Sequence, residues 1–192
     1  MPNSEVKQIF QDSVLVAKIK ERLPKLFRIA EIENSRAGKI GMEVGFTREK
    51  IIAALLIHKF GAEKVDTNIP ATEKEIDVIL DGKGLSIKTI TEKGGIKAVW
   101  TVDAQSSKEF LKEYKPKCGI ILVQTWWGKD KDSFFYIPLG VQMEAFKKVG
   151  TIGYLNLPKE GTNPRGIEFS KAAMELMLNH KDTLKIKLSP VN

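Results

Sequence analysis

The segment EIDVILDGKGLSIKT, residues 75–89, constrains the fold of this chain more than any other stretch. Apolar and polar residues alternate on both sides of Asp81–Gly82, a pattern typical of two antiparallel strands joined by a tight turn. Successive side chains of a strand point to opposite faces of the sheet. The segment therefore predicts a hairpin with one apolar face, which packs on a core, and one polar face.

The sequence allows two short turns between the strands, and both give the same division of side chains between the two faces of the hairpin. A loop of Gly82–Lys83 places Asp77 opposite Lys88, whereas a loop of Asp81–Gly82 places Asp77 opposite Ser86. The apolar face is expected to hold Ile76, Val78, Leu80, Leu85 and Ile87, and the polar face Glu75, Asp77, Ser86 and Lys88.

The polar face gathers the groups that phosphodiester hydrolysis needs. A carboxylate such as Asp77 binds Mg²⁺ through hard oxygen ligands, and the ion acidifies bound water and neutralises charge that builds on the phosphate. A nearby lysine such as Lys88 can orient or deprotonate the attacking water. The alternative interpretation is a structural cross-strand Asp–Lys pair on a solvated face.

Composition excludes several other kinds of site. The chain has one cysteine, Cys118, and two histidines, which argues against a disulfide framework, a cysteine-rich zinc site or a histidine-rich metal site. Its net charge of +7 suits a polyanionic partner. No apolar run is long enough to span a membrane and the N-terminus does not resemble a signal peptide, so we expect a cytoplasmic protein with no membrane partner.

The rest of the chain predicts helices around a mixed central β-sheet, an α/β (α+β) fold. We expect one domain over residues 1–192, with an N-terminal helical region at 1–40 and a core at 41–185. Residues 4–23 have the apolar spacing of a helix that bends or ends at Pro24, and 31–45 have the composition of a loop. The other expected elements are a helix at 46–60 with Thr47 as N-cap and Gly61 as its stop, strands at 96–102, 118–127 and 133–139, and helices at 106–114, 140–150 and 169–180.

The order of a helix with Glu49, a strand with Asp77 and a second strand with Ser86-Ile87-Lys88 resembles the PD-(D/E)xK nuclease superfamily. Its members carry an acid on a helix before the sheet, an Asp on one strand and a (D/E)xK tripeptide on the next. This chain departs from the pattern because Ser86 stands where a carboxylate is usual, and no proline precedes Asp77. The resemblance implies that a glutamate from a helix supplies the second carboxylate.

Four glutamates are candidates for that second ligand. Glu49 is the first choice and Glu43 the alternative, while Glu75 shares the face of Asp77 and could contribute. Glu109 is a weaker candidate because it stands three residues after Ser106, a capping-box spacing that already explains it.

The segment GTNPRGIEFSKAAMELM, residues 161–177, resembles part of the restriction endonucleases related to ThaI. The resemblance implies a Mg²⁺-dependent type II enzyme that cuts double-stranded DNA at a short GC-rich palindrome, in the cytoplasm of a prokaryote. It also implies a homodimer, matched to a two-fold symmetric site, and a partner methyltransferase that protects host DNA. Asp77, Glu49 and the backbone carbonyl of Ile87 would hold the metal, and Lys88 would activate water.

Several residues outside the hairpin have the chemistry of DNA contacts. The 31–45 segment and the residues after it hold cations suited to phosphates, and Met42 is a candidate wedge between base steps. Arg165, supported by Asn163, can bind the O6 and N7 atoms of guanine. Each also has a structural alternative: a solvated loop, a core methionine and an ordinary turn. The candidate phosphate contacts are Arg36, Lys39 and Arg48.

Two other functions remain open from the sequence. One keeps the fold and changes the substrate, giving a repair or junction nuclease. The other is a non-catalytic DNA-binding protein in which Asp77 and Lys88 have only structural roles.

Overall fold

The computed structural model describes residues 4–38, 42–70, 73, 75–91, 95–99, 110–127, 132–156 and 166–190. Its helices are α1 (Ser4–Gln11), α2 (Ser13–Arg36), α3 (Met42–Phe60), α4 (Leu139–Tyr154) and α5 (Lys171–Leu178), with a 3₁₀ turn at Ala62–Lys64 and a helical turn at 110–113. Its strands are β1 (Val65–Asp66), β2 (Val78–Leu80), β3 (Lys83–Thr91), β4 (Lys97–Val99), β5 (Gly119–Thr125), β6 (Ser133–Ile137), β7 (Leu155–Asn156), β8 (Ile167–Phe169) and β9 (Leu184–Lys187).

The strands form one mixed sheet of six strands and a smaller sheet of three. The large sheet has the order β1-β2-β3-β5-β6-β9, in which β3 and β5 are parallel and the other neighbours antiparallel. The central position of β5 and its pairing with β6 agree with the sequence prediction. The strand expected at 96–102 is present as β4, but it belongs to the small sheet, of order β4-β8-β7.

Both faces of the large sheet are covered, and alternate residues of β5 show how. Ile121 and Val123 pack in the cluster that includes buried residues of α1, α2 and α3. Ile120 and Leu122 pack in the opposite cluster, with α4, α5 and the small sheet. A strand buried on both faces reads as a continuous apolar run rather than an alternating one, which is why GIILV looks different from the hairpin. No helix among the described residues is both long and apolar enough to cross a membrane.

The β2–β3 turn adopts the second of the two predicted registers. Val78 pairs with Leu85, and the loop residues Asp81 and Gly82 have φ of 50° and 73°. Two consecutive residues of positive φ are the mark of a type I′ turn, whose twist matches that of the flanking strands. This register directs Asp77 toward Ser86.

The chain leaves regular strand geometry just before β2, and one expectation about the faces is wrong there. The Asp77 amide donates to the Leu85 carbonyl at 2.9 Å, although Leu85 pairs with Val78. Atoms of the Ile76 side chain lie against Gly84, where an added Cβ would approach within 2.7 Å. Because Gly84 and Ser86 share a face, Ile76 lies on that face and does not join the apolar face with Val78.

The N-terminal half differs most from the prediction. Asp12 separates two helices and caps α2 by accepting a hydrogen bond from the Leu15 amide at 2.9 Å. Helix α2 continues through Pro24 to Arg36, because buried residues beyond the proline, including Phe27, stabilise it. The 31–45 segment is therefore mostly helical rather than a loop.

Helix α3 also begins earlier than predicted, at Met42. Thr47 is not its N-cap, since its hydroxyl donates to the Glu43 carbonyl one turn earlier, at 3.0 Å. The predicted stop is confirmed: α3 ends at Phe60 and Gly61 has a φ of 90°, a conformation that favours glycine. Ser106 and Glu109 lie outside the described residues.

Candidate active site

The Asp77 carboxylate is fixed by three donors from β3. Its Oδ2 atom accepts hydrogen bonds from Ser86 Oγ at 3.0 Å, the Ile87 amide at 2.7 Å and Lys88 Nζ at 3.4 Å. Every donor that the described residues offer to this carboxylate binds Oδ2, so Oδ1 remains available to a cation. The geometry follows from the type I′ turn, which brings the end of one strand alongside the middle of the next.

Lys88 is the cation of this cluster and is well shielded from water. Its side chain is 12% exposed and that of Asp77 is 27% exposed. Shielding strengthens the attraction between the two charges relative to a surface pair, but holding an ammonium group there also costs solvation. The pair is therefore not the solvated Asp–Lys pair of an exposed hairpin face.

Glu49 faces the same cluster from α3. This helix packs on β3, and Ile52 and Leu56 of α3 are fully buried in the shared core. Glu49 lies one turn before Ile52 on the same stripe. Burial first and the neighbouring Asp77 charge second raise the pKa of Glu49 to about 7, and Lys88 opposes both effects. Glu49 is thus close enough to Asp77 and Lys88 to interact with both electrostatically.

Asp77 and Glu49 line a groove of about 510 Å³ between α3 and the residues that precede β2, and Lys88 contacts Asp77 beside it. One wall is a stripe of α3 and the other belongs to the 67–77 segment. Its described lining residues are mainly apolar, apart from Glu49, Lys50, Thr67, Glu73 and Asp77.

Glu75, which sequence analysis places on the Asp77 face, has different surroundings. Burial raises the pKa of Glu75 to about 7, while the backbone and side chain of Lys117 and the charge of Lys88 lower it. The Cys118 thiol donates to the Glu75 carbonyl at 3.6 Å, and the Glu75 charge raises the pKa of the buried Tyr154. Glu75 therefore lies toward the aromatic core under α4, and it does not line the groove.

The donor set at the groove fits a small divalent cation. Asp77 and Glu49 offer hard carboxylate oxygens, and Mg²⁺ is commonly held by one or two carboxylates together with water and substrate phosphates. Among the described residues no group of three or more His, Cys, Asp or Glu side chains could hold a metal, which argues against a site built from protein ligands alone. Ser86 is buried and donates to Asp77, so it positions the carboxylate and does not replace one.

Comparison with known proteins identifies the family. A family model described as restriction endonuclease ThaI matches residues 9–191. The chain belongs to the ThaI family of restriction endonucleases. The resemblance that the 161–177 segment suggested is thereby confirmed.

A solved structure supports the same assignment. The chain is similar to a protein described as "Restriction endonuclease in complex with substrate DNA", with 44% sequence identity and a TM-score of 0.90. The similarity covers 98% of this chain and 94% of that chain, so the α/β fold extends over almost all of both. No curated protein sequence matches the chain.

The predicted DNA contacts of this ThaI-family chain have different positions in the fold. Arg36 lies at the exposed end of α2, paired with Glu33 at 2.8 Å. Arg48 is a correction: it is buried, paired with Glu31 and stacked over the Phe27 ring at 5.7 Å. Its guanidinium joins α2 to α3 and does not reach a surface where phosphate could bind.

The positions of the other predicted DNA contacts, and of the alternative ligand Glu43, are known only in part. Met42 is the first residue of α3, at the end of the helix that carries Glu49. Glu43, the alternative ligand, is exposed in the first turn of α3. Lys39, Asn163 and Arg165 lie outside the described residues.

Sequence analysis missed two residues that line the groove beside Glu49, namely Phe46 and Lys50. Residues three and four apart share a helix face, so the positions 46, 49 and 50 form one surface of α3. That spacing is visible in the sequence, but the sequence alone does not show which face of the helix borders the groove.

Proposed function

We propose that this chain is a Mg²⁺-dependent type II restriction endonuclease, which hydrolyses phosphodiester bonds of double-stranded DNA at a specific sequence. The observation that carries the proposal is that Asp77 and Glu49 line one groove, with Lys88 bonded to Asp77, in a chain of the ThaI family. The similar solved structure contains substrate DNA, and the net charge of +7 favours a polyanionic partner.

Asp77 and Glu49 would hold the metal, since both line the groove. The Oδ1 atom of Asp77 is available for this, because Ser86, Ile87 and Lys88 all donate to Oδ2. The N–H and C=O of a strand residue point toward the same edge of the strand. Since the Ile87 amide points at Asp77, its carbonyl faces the same side and is a suitable further ligand.

When bound, Mg²⁺ lowers the pKa of water and neutralises charge that develops on the phosphate. Lys88 orients the attacking water and stabilises the negative charge that grows on the phosphate oxygens. The attacking water gives up a proton to solvent water, its oxygen forms a new bond to phosphorus, and the bond to the leaving sugar oxygen breaks. That oxygen takes up a proton from solvent water, so the products are one phosphate end and one hydroxyl end.

The active protein is a homodimer that acts on a short, GC-rich palindrome. Two-fold symmetry supplies one active site for each strand of a palindromic site. A methyltransferase of the same sequence specificity would protect the DNA of the prokaryotic host. Arg165, Asn163 and Met42 remain the proposed contacts with base pairs, while Arg36 and Lys39 are the proposed contacts with phosphates.

Digestion of a fully sequenced plasmid, with Mg²⁺ and in parallel with EDTA, tests this function. We expect discrete fragments with Mg²⁺ only, and sequencing of the fragment ends should return one palindromic site. Cutting only at branched or damaged DNA would instead identify a repair or junction nuclease. DNA that is bound but never cut with Mg²⁺ would contradict both nuclease functions and favour a non-catalytic DNA-binding protein.

A further inference from the structure

The groove beside the proposed metal site has an unfavourable charge for a substrate that is a polyanion. Its described lining residues carry three carboxylates, those of Glu49, Glu73 and Asp77, and a single ammonium group, that of Lys50. A bound cation and Lys88 would compensate Glu49 and Asp77. Lys50 is therefore the cation of the groove wall that remains available to the substrate.

Lys50 is held by an aromatic ring rather than by a carboxylate. Its Nζ atom lies 4.3 Å from the centre of the Phe46 ring, and within the described part of the chain it makes no salt bridge. The ring attracts the ammonium group without neutralising its charge. Phe46 itself is 58% exposed and lines the groove beside Lys50.

We propose that Phe46 and Lys50 form a phosphate-binding element on α3, which contacts the DNA backbone next to the phosphate that is cut. Lys50 supplies the charge, and the Phe46 ring keeps the ammonium group on the groove side of α3 and away from the carboxylates. The element rests on the proposed function for the identity of its ligand. Neither residue contacts the reacting atoms, so both are positioning residues.

The proposal predicts a specific change in the salt dependence of DNA binding. The slope of log affinity against log salt reflects the number of neutralised phosphates, at about 0.9 per contact for duplex DNA. Lys50→Gln should reduce the slope by about one. Over a fourfold rise in salt the wild type then loses about three-fold more affinity than the variant. Lys50→Arg keeps the charge and should keep the wild-type slope.

Phe46→Leu tests the role of the ring separately, because it keeps an apolar side chain and removes the aromatic face. Affinity should fall about two- to five-fold with little change of slope, since the cation remains. In the double variant Phe46→Leu, Lys50→Gln the effect should be no larger than in Lys50→Gln alone, because the two residues act together.

The experiment is a filter-binding or anisotropy titration of the full chain with a duplex carrying its cleavage site, or random duplex if none is known, in EDTA over a range of salt. Lys148→Gln is the matched control, because Lys148 is an exposed lysine of α4 on the other side of the sheet. An unchanged slope and affinity in Lys50→Gln would overturn the proposal, and so would an equal loss of affinity and slope in Lys148→Gln. A wild type without DNA affinity would overturn it as well. The titration in EDTA measures binding without cleavage. A wild type that binds DNA in EDTA but does not cut it with Mg²⁺ would therefore contradict the proposed function and leave the phosphate-binding element in place.

Discussion

Glu49 and Glu75 have the same pKa, raised to about 7 by burial, yet they lie in different surroundings. Glu49 lines an open groove with Asp77, whose charge contributes to the raised pKa. Glu75 is near Lys117 and close to the buried aromatic residues below α4. The positive charge of Lys88 lowers the pKa of both glutamates.

The difference shows that a raised pKa does not by itself identify a metal ligand. What separates the two glutamates is the strongest charge that acts on each: Asp77 raises the pKa of Glu49, whereas Lys117 lowers that of Glu75 and outweighs the opposing charge of Glu73. Two close carboxylates are stabilised by protonation of one or by a bound cation, so a cation beside Glu49 and Asp77 is favourable. Glu49 therefore suits a metal ligand and Glu75 a structural acid.

The largest effect is expected at Asp77, the carboxylate on which Glu49 depends. Asp77→Ala should reduce cleavage by at least about 10³-fold, because metal-assisted charge stabilisation is lost. Asp77→Asn is a second variant that can still accept the hydrogen bonds of β3. Plasmid cleavage assays with a thermal melt of each variant provide the measurement. Asp66→Asn, an exposed position in β1, is the control, and full activity in Asp77→Asn would refute the assignment.

Lys88 comes next, because it faces both glutamates. Lys88→Met keeps the aliphatic stem and removes the ammonium group, and we expect the cleavage rate constant to fall by about 10²–10⁴-fold. DNA affinity in EDTA should change much less. A normal single-turnover rate in Lys88→Met would mean that the lysine is a structural partner of Asp77 and nothing more.

Replacing Glu49 and Glu75 separately tests whether only Glu49 belongs to the active site. Glu49→Gln should lose cleavage at least about 10²-fold, whereas Glu75→Gln should retain most of it. Glu43→Gln, an exposed change on the same helix, is the matched control for Glu49. Equal losses from Glu49→Gln and Glu75→Gln, measured at saturating Mg²⁺, would show that both acids belong to the site.

The smallest effect is on stability without metal. A carboxyl whose pKa is higher in the folded than in the unfolded state stabilises the fold at low pH, and this stabilisation is lost as pH rises. In EDTA we expect the melting temperature to fall between the ordinary carboxyl range and about pH 7. Glu49→Gln and Glu75→Gln should each flatten that fall, and a profile unchanged in both variants would contradict the burial of the two acids.

The parts of the molecule that sequence predicts well are governed by local rules. The hairpin register follows from Asp81–Gly82, and the contact of Asp77 with Ser86 follows from that register. The central strand follows from an uninterrupted apolar run. The sequence also places Glu49 on a helix before the sheet, and it lies near Asp77 and Lys88; its role as a ligand stays a prediction.

The parts that sequence misses depend on tertiary packing. Pro24 lies inside a helix because buried residues on both sides of it stabilise α2. Arg48 looks like a DNA contact by composition, but the proximity of Glu31 and Phe27 commits it to the interior. The separation of Glu49 from Glu75 is also tertiary, since it depends on where α3 and the residue 114–118 segment lie relative to the sheet.

A Mg²⁺ titration of thermal stability at pH 8, without DNA, tests most directly whether Glu49 completes the metal site. A ligand that binds the folded state raises the melting temperature with its concentration. We predict a clear upward shift for the wild type and for Glu75→Gln, and a strongly reduced shift for Glu49→Gln. A full shift in Glu49→Gln, together with its loss in Glu75→Gln, would contradict the account.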